Sequence, residues 1–303
     1  MADKLPAELV INIIQLAAES WRFTDRQSVV NLAITSAASY KLVSPILYHT
    51  IILTVINARY FTEFVMDEGN EVLARRVCGH VRALHDFSSE LTTKFPAQFF
   101  TSLARIHSMG NVIQFIAEEN SPCPLRYVSV SSENFGLISS EWLPSHAREV
   151  VTHLTGYLPI FFSESHWDNF TTNPKGWIGS IVHPLPALTH LALILVGVPG
   201  TNDARGGVHA FRLTALDQAL RELLASSRLK GVALHVCGLH VEQRWDEIEA
   251  LLRSIDDKRL KVWRDDRQLP SWREHRTWAI EDIMNGKDVW SEARPIDHSS
   301  AAP

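Results

Sequence analysis

Short apolar runs of the form Leu-x-x-Leu-x-Leu constrain the fold of this chain more than any other feature. A leucine-rich template asks for apolar residues at its first, fourth, sixth and eleventh positions and for Asn or Cys at its ninth. Leu229, Val232, Leu234, Cys237 and Leu239 meet all of these. Leu188, Leu191, Leu193 and Val198 meet the apolar positions, with Val196 in the Asn/Cys place. Leu125, Val128, Val130 and Phe135 do the same, with Glu133 there. Two starts are partial: Val81 and Leu84 are followed by Asp86, and Val151 and Leu154 by Gly156 and Pro159. A last strand is expected at Leu260 to Val262. One echo is literal, since Val151-Thr152-His153-Leu154 returns as Leu188-Thr189-His190-Leu191.

Helical spacing lies between these runs. His49 to Val55 reads as a strand, and Asn57 opens a helix carrying Phe61, Phe64, Val65, Val72 and Leu73. Val81 to Phe87 reads as the next strand, and Phe95 to His107 as the next helix. Strands alternating with helices predict an α/β fold with a parallel sheet. No strand–helix unit buries its apolar face alone, so neighbours must stack. The spacing is too irregular for a regular array and predicts an irregular α/β solenoid. The bland alternative is an ordinary α/β domain whose strands fit a permissive template.

The first fifty residues are of another kind. They open Leu5-Pro6-Ala7-Glu8-Leu9 and close Tyr40-Lys41-Leu42-Val43-Ser44-Pro45-Ile46-Leu47-Tyr48. Pro6 suits a helix start, where the first amides lack intrahelical acceptors. Asp3 is a candidate N-cap, and Glu8 favours the positive end of the dipole. Leu9, Ile13, Leu16 and Ala17 follow an amphipathic stripe, with Val10 and Ile14 as a second row. Glu19 to Ser28 interrupts the pattern, and Thr24 or Asp25 can cap the next helix, which carries Val29, Leu32 and Ala33. Pro45 is expected to stop a helix near Val43, because the residue before proline avoids the α region.

This stretch, about Leu5 to Leu53, resembles an F-box, the helical module that docks a protein onto the Skp–cullin ubiquitin-ligase scaffold. The opening Leu-Pro-x-Glu-Leu and the closing Lys-Leu-Val-Ser-Pro-Ile-Leu-Tyr-x-Thr-Ile carry the resemblance. Where the family often has Val-Cys-Lys-x-Trp, this chain has Ser36-Ala37-Ala38-Ser39-Tyr40. Divergent leucine-rich-like repeats follow F-boxes in many fungal proteins, and the runs above are similar to them. The resemblance implies a three-helix module whose Leu5, Pro6, Leu9, Ile13, Leu32 and Pro45 meet a Skp-family adaptor and through it a cullin. It implies a repeat body that binds a target protein for ubiquitination, in the cytoplasm or nucleus, with no catalysis by the chain itself. Two other readings stay open: a leucine-rich-like interaction scaffold whose N-terminal helices are only a cap, and an α/β enzyme without a recognisable motif.

Composition sets outer bounds. The chain has 303 residues, 46% hydrophobic and 21% charged, ordinary for a globular protein with a sizeable core. A net charge of −5 with scattered basic residues gives no footprint for nucleic acid, and no polybasic surface or apolar run points to a membrane. The apolar run from Leu9 to Ala18 is too interrupted by Asn12 and Gln15 for a leader's core. Cys78, Cys123 and Cys237 lie far apart, against a disulfide framework.

Chemical motifs are sparse. His235, Cys237 and His240 have ligand types for zinc, but Cys237 also fills the repeat's Asn/Cys position, and a structural role is expected. Gly197 to Gly200 and Gly206-Gly207 lack the Gly-Lys-Ser/Thr of a phosphate loop. Gly176-Trp177-Ile178-Gly179-Ser180 puts its serine in the wrong place for a nucleophile elbow. No cofactor is expected. The segment from Pro159 to Pro186 holds Phe161, Phe162, Trp167, Phe170 and Trp177 among small and polar residues, a candidate target-binding surface.

The expected organisation is therefore a helical module at 1–50, a repeat body at 51–263, a helical cap at 264–296 and a disordered tail at 297–303. Trp245, Trp263, Trp272, Trp278 and Trp290 crowd the C-terminal part. There Trp245 to Ile255 and Trp278 to Met284 read as helices that cover the end of the body. The alternative for these tryptophans is an aromatic recognition surface.

Overall fold

The computed structural model describes residues 5–88, 97–108, 123–130, 145–158, 179, 182–197, 207–238, 245–267 and 272–296. The fold is mixed α/β with mostly parallel strands. Two compact units divide it: Met1–Leu125 with Ile280–Gly286, and Arg126–Ala279 with Lys287–Pro303.

The first unit begins with helices α1 (Ala7–Trp21), α2 (Arg26–Ile34) and α3 (Ala37–Leu47). Asp25 caps α2 by accepting from the Ser28 amide, and Ser36 caps α3 by accepting from the Ser39 amide. The cap expected at Asp3 lies outside the described residues; Pro6 occupies the N-cap place of α1. α1 runs into the polar stretch, to Trp21. Pro45 does not stop α3, which continues to Leu47 with the proline inside it. Helical hydrogen bonding resumes past the proline: the Tyr48 amide reaches the Ser44 carbonyl at 3.0 Å, and Arg26 Nη2 donates to the Leu47 carbonyl at 3.2 Å.

Strand β1 (Thr50–Leu53) follows, then α4 (Ala58–Met66) and α5 (Glu71–Gly79). One helix was expected across this span. Asp67 splits it, accepting from the Gly69 amide and the Asn70 side chain and so holding a turn of 3-10 helix. Strands β2 (Ala83–Asp86) and β3 (Arg105–Ser108) pair in parallel, β2 lying between β1 and β3. The helix expected from Phe95 to His107 is thus corrected to a short 3-10 turn at Ala97–Phe99 and strand β3. Its apolar residues still go inside: Phe100, Leu103 and Ile106 are fully buried, Ile106 in register with Leu84 of β2.

The second unit carries β4 (Tyr127–Val130), α6 (Ser145–Val150), β5 (His153–Leu158), β6 (His190–Gly197), α7 (Gly207–Ala225), β7 (Gly231–Gly238), α8 (Trp245–Arg253) and β8 (Leu260–Asp265). Helices α9 (Trp272–Met284) and α10 (Val289–Glu292) and the two-residue strand β9 (Arg294–Pro295) complete the described chain. Strands β4 to β8 lie side by side in sequence order, all parallel, and β9 adds antiparallel to β8. The register aligns the apolar template: Val128, Leu154, Leu191, Val232 and Leu260 form one row, and Val130, Gly156, Leu193, Leu234 and Val262 the next. These rows share one sheet face because strand side chains alternate. Apart from Val262 and Gly156's absent side chain, the residues of both rows are buried. Ala215, Leu216, Ala219, Leu220 and Leu223 of α7, on the crossover from β6 to β7, are buried at helical spacing.

Arg259 ties the end of that crossover. Its guanidinium donates to the carbonyls of Ser226 at 3.0 Å and Leu229 at 2.9 Å, and to that of Leu224, while Asp257 holds it from the other side. A helix leaves its last carbonyls without intrahelical donors; here one cation serves that of Leu224 in the last turn of α7 and two carbonyls just beyond the helix. Arg259→Met is expected to cost about 2 kcal/mol, read as a lower urea midpoint at unchanged slope.

Candidate docking face and aromatic ladder

The three N-terminal helices enclose a core of their own. Ala18 of α1, Val29 and Ala33 of α2, and Val43 and Leu47 of α3 are buried together, and Ile14, Leu32 and Tyr40 are among the residues packed around them. Only the Ile14–Ala18 side of α1 turns inward. The opposite side presents Leu5, Leu9, Ile13 and Leu16 at 59%, 48%, 55% and 63% exposure. At 3.6 residues per turn Leu9, Ile13 and Leu16 fall within a narrow stripe. The regular Leu9–Ile13–Leu16 stripe of α1 is therefore the one facing water. Val10, Ile11 and Trp21 are also exposed, on other sides of the helix.

Of the residues assigned to adaptor contact, Leu5, Pro6, Leu9 and Ile13 lie together at this exposed side, and Pro45 is exposed on α3. Leu32 instead packs, half-buried, against the module's core. Tyr40, at the place of the family's tryptophan, packs there too. Scattered exposed apolar residues are normal, but a contiguous row along a helix marks an interaction site.

The second unit holds a feature that the sequence barely announces. On the face opposite the apolar rows, Tyr127, His153, His190 and Gly231 occupy one register row of β4 to β7. Their rings form a ladder. Tyr127 stacks on His153 at 4.1 Å, and His153 on His190 at 4.3 Å with the planes 1° apart. Each histidine Nδ1 is paired with the hydroxyl of the preceding threonine, Thr152 or Thr189, at 2.9 Å. The Thr-His-Leu echo is the one sequence trace of this arrangement. Burial, and then the charges of Lys230 and Lys261, push the His190 pKa down and favour the neutral ring. Gly231 ends the row because nothing larger fits: a Cβ there would lie 2.9 Å from the His190 ring and 3.5 Å from Trp290.

Further along the same face, His235 stacks on Trp263 at 3.8 Å, and its Nε2 lies 3.5 Å from Asp265. Burial alone would raise the Asp265 pKa, but hydrogen bonds from His235 and Arg267 overcome it and hold the carboxyl well below its usual range. Cys237 is buried with its thiol 3.5 Å from the Leu195 carbonyl. His240, the third member of the candidate zinc cluster, lies outside the described residues. So do Phe161, Phe162, Trp167, Phe170 and Trp177. Among the described residues no group of three or more His, Cys, Asp or Glu converges as a metal site, and no helix is long and apolar enough to cross a membrane.

No protein-family model matches the chain, and no curated protein and no solved structure matches it either.

Proposed function

We propose that this chain is a substrate-recognition adaptor of the F-box kind, with leucine-rich-like repeats forming its body. The N-terminal helices bind a Skp-family adaptor joined to a cullin scaffold. The repeat body binds a target protein and presents it for ubiquitination by the assembled ligase. The observation that supports this reading most is the outward stripe of α1. A module with its own small core spends a regular apolar row on solvent, which is unfavourable unless a partner covers it. Fully burying a large aliphatic side chain is worth about 1.5–3 kcal/mol; the four are about half exposed, so they offer roughly 3–7 kcal/mol before association costs are subtracted. The aligned Leu/Val rows of β4 to β8 support the repeat body in the same way, as units that bury a face only by stacking.

The test is capture by a purified Skp-family adaptor. Leu9→Asp with Ile13→Asp is expected to weaken capture by at least about tenfold. The same pair should move folding stability by less than about 0.5 kcal/mol, because both side chains already face water. Capture undiminished in a folded double variant would remove this docking face from the reading.

A further inference from the structure

The aromatic ladder is not open. A segment of the chain itself sits on it. The helical turn α10 lays Val289 and Ala293 against Ala192 of β6 and Ala233 of β7, with Trp263 and Trp290 closing the cluster. The small side chains make this possible. Gly231, Ala233 and Ala192 lower the floor of the sheet face across two adjacent strands, while His153, His190 and Trp263 stand beside it. Trp290 enters edge-on, 5.8 Å from the His153 ring and 5.3 Å from the His190 ring, nearly perpendicular to both. The chain then leaves along β8, where Arg294 and Pro295 pair with Val262 and Lys261.

Each of these contacts is of a kind by which domains bind peptides. An extended segment adds to a sheet edge while one anchoring side chain fills a pocket. A tryptophan centred in such a pocket is the residue type that most often dominates binding energy. The segment also keeps its shape by itself. Asp288 accepts from the Trp290 and Ser291 amides at 2.9 Å, and the Ser291 hydroxyl accepts from the Asp288 amide in return, a complete capping box. Its backbone pairing with the sheet is two residues long, and both of those residues are exposed. Before it the chain passes through exposed Met284, Asn285, Gly286 and Lys287, with Gly286 at φ +70°, a conformation that costs glycine nothing. Three anchors and a short edge strand, after a turn of this kind, describe a local unit of low stability.

We propose that residues 287–296 are a displaceable strap, and that the trough formed by Gly231, Ala233, Ala192, His153, His190 and Trp263 is a peptide-recognition site. The strap holds that site in cis; a partner segment presenting a tryptophan on a capped helical turn takes it in trans. A tethered strap competes at an effective concentration of roughly millimolar. Partner binding by the wild-type chain is therefore weakened in proportion to the small fraction of open strap. This holds whether or not the N-terminal helices dock an adaptor, and its test does not use them.

The probe is a fluorescent synthetic peptide of the strap's own sequence, residues 286–297, added to the full-length chain. Trp290→Ala in the chain should raise affinity for the peptide at least about tenfold over wild type, by loosening the competitor in cis. The same alanine placed in the peptide should abolish binding. In the wild-type chain, amides of residues 289–293 should exchange with deuterium through a local opening, faster than those of β6 and β7. No gain in binding by a folded Trp290→Ala chain, or binding indifferent to the peptide's tryptophan, overturns the proposal. So does exchange of the strap only with β6 and β7, or a Trp290→Ala chain that no longer folds, because a strap on which the fold depends is not one that a ligand displaces.

Discussion

Acidification from pH 6.5 to pH 4 is expected to cost the first unit on the order of 3 kcal/mol from one side chain. His107 of β3 is buried beside Phe87, with ring centroids 4.8 Å apart, and faces His85 of β2 at 6.0 Å. Burial pushes its pKa down from 6.5 to about 4. That difference, at about 1.4 kcal/mol per pH unit, sets the magnitude. The sign follows from which state takes the proton first. The folded pKa lies below the unfolded one, so the unfolded chain binds the proton first as pH falls. Stability from His107 is complete above pH 6.5, declines through the interval and is fully lost below about pH 4. His85 acts in the same direction: burial, then His107 and Arg105, hold its pKa well below the ordinary value. Asp265, with a depressed carboxyl, contributes stability that persists through this window and is lost only at lower pH. Urea unfolding followed by circular dichroism from pH 7 to pH 4 measures the slope, and His107→Gln should flatten it. An unchanged slope in that variant would show that the acid sensitivity lies elsewhere.

The parts of the fold legible in the sequence were those set by local periodicity. Strands at Val232, Leu191, Val128 and Leu154 follow from two-residue alternation, and their core positions align in register as the shared template requires. The helix from Trp245 is equally plain, with Ile248 and Leu252 buried one turn apart. What periodicity cannot give is which side of an apolar helix meets the core. α1 is apolar on several sides, and tertiary packing selects Ile14 and Ala18 over the more regular Leu9–Ile13–Leu16 row. Local pattern also fails where one residue changes its neighbours' options. Asp67 gathers enough hydrogen bonds to end one helix and start another, and the strand at Arg105 is fixed by its pairing with β2 rather than by its own sequence. The ladder was nearly invisible for a different reason. Tyr127, His153, His190 and Trp290 are far apart in sequence and meet only through strand register and the returning strap, so the repeated Thr-His-Leu could mark two sites without showing that they touch.

Replacement of Phe100 by alanine should be among the most destabilising single changes in the first unit, costing about 3–5 kcal/mol. Phe100 is 0% exposed and one of the largest fully buried side chains among the described residues, with Leu53, Leu84, Leu103 and Ile106 also enclosed. The cost has two sources, the lost transfer of the ring from water and the cavity left in a close-packed interior. A domain of ordinary stability has roughly 5–15 kcal/mol in hand, so this variant should unfold at a much lower urea concentration or fail to accumulate as folded protein. Phe100→Leu keeps most of the volume and should cost less than about 1.5 kcal/mol. Leu16→Ala on α1 supplies the contrast. It removes a comparable apolar side chain, but one already 63% exposed, and folding stability should change by less than about 0.5 kcal/mol. Equal losses for Leu16→Ala and Phe100→Ala would mean that α1 turns its apolar row inward, and the docking face would go with it. A large loss for Phe100 with none for Leu16 leaves the row of α1 unneeded for folding, which is the condition a surface kept for a partner has to meet.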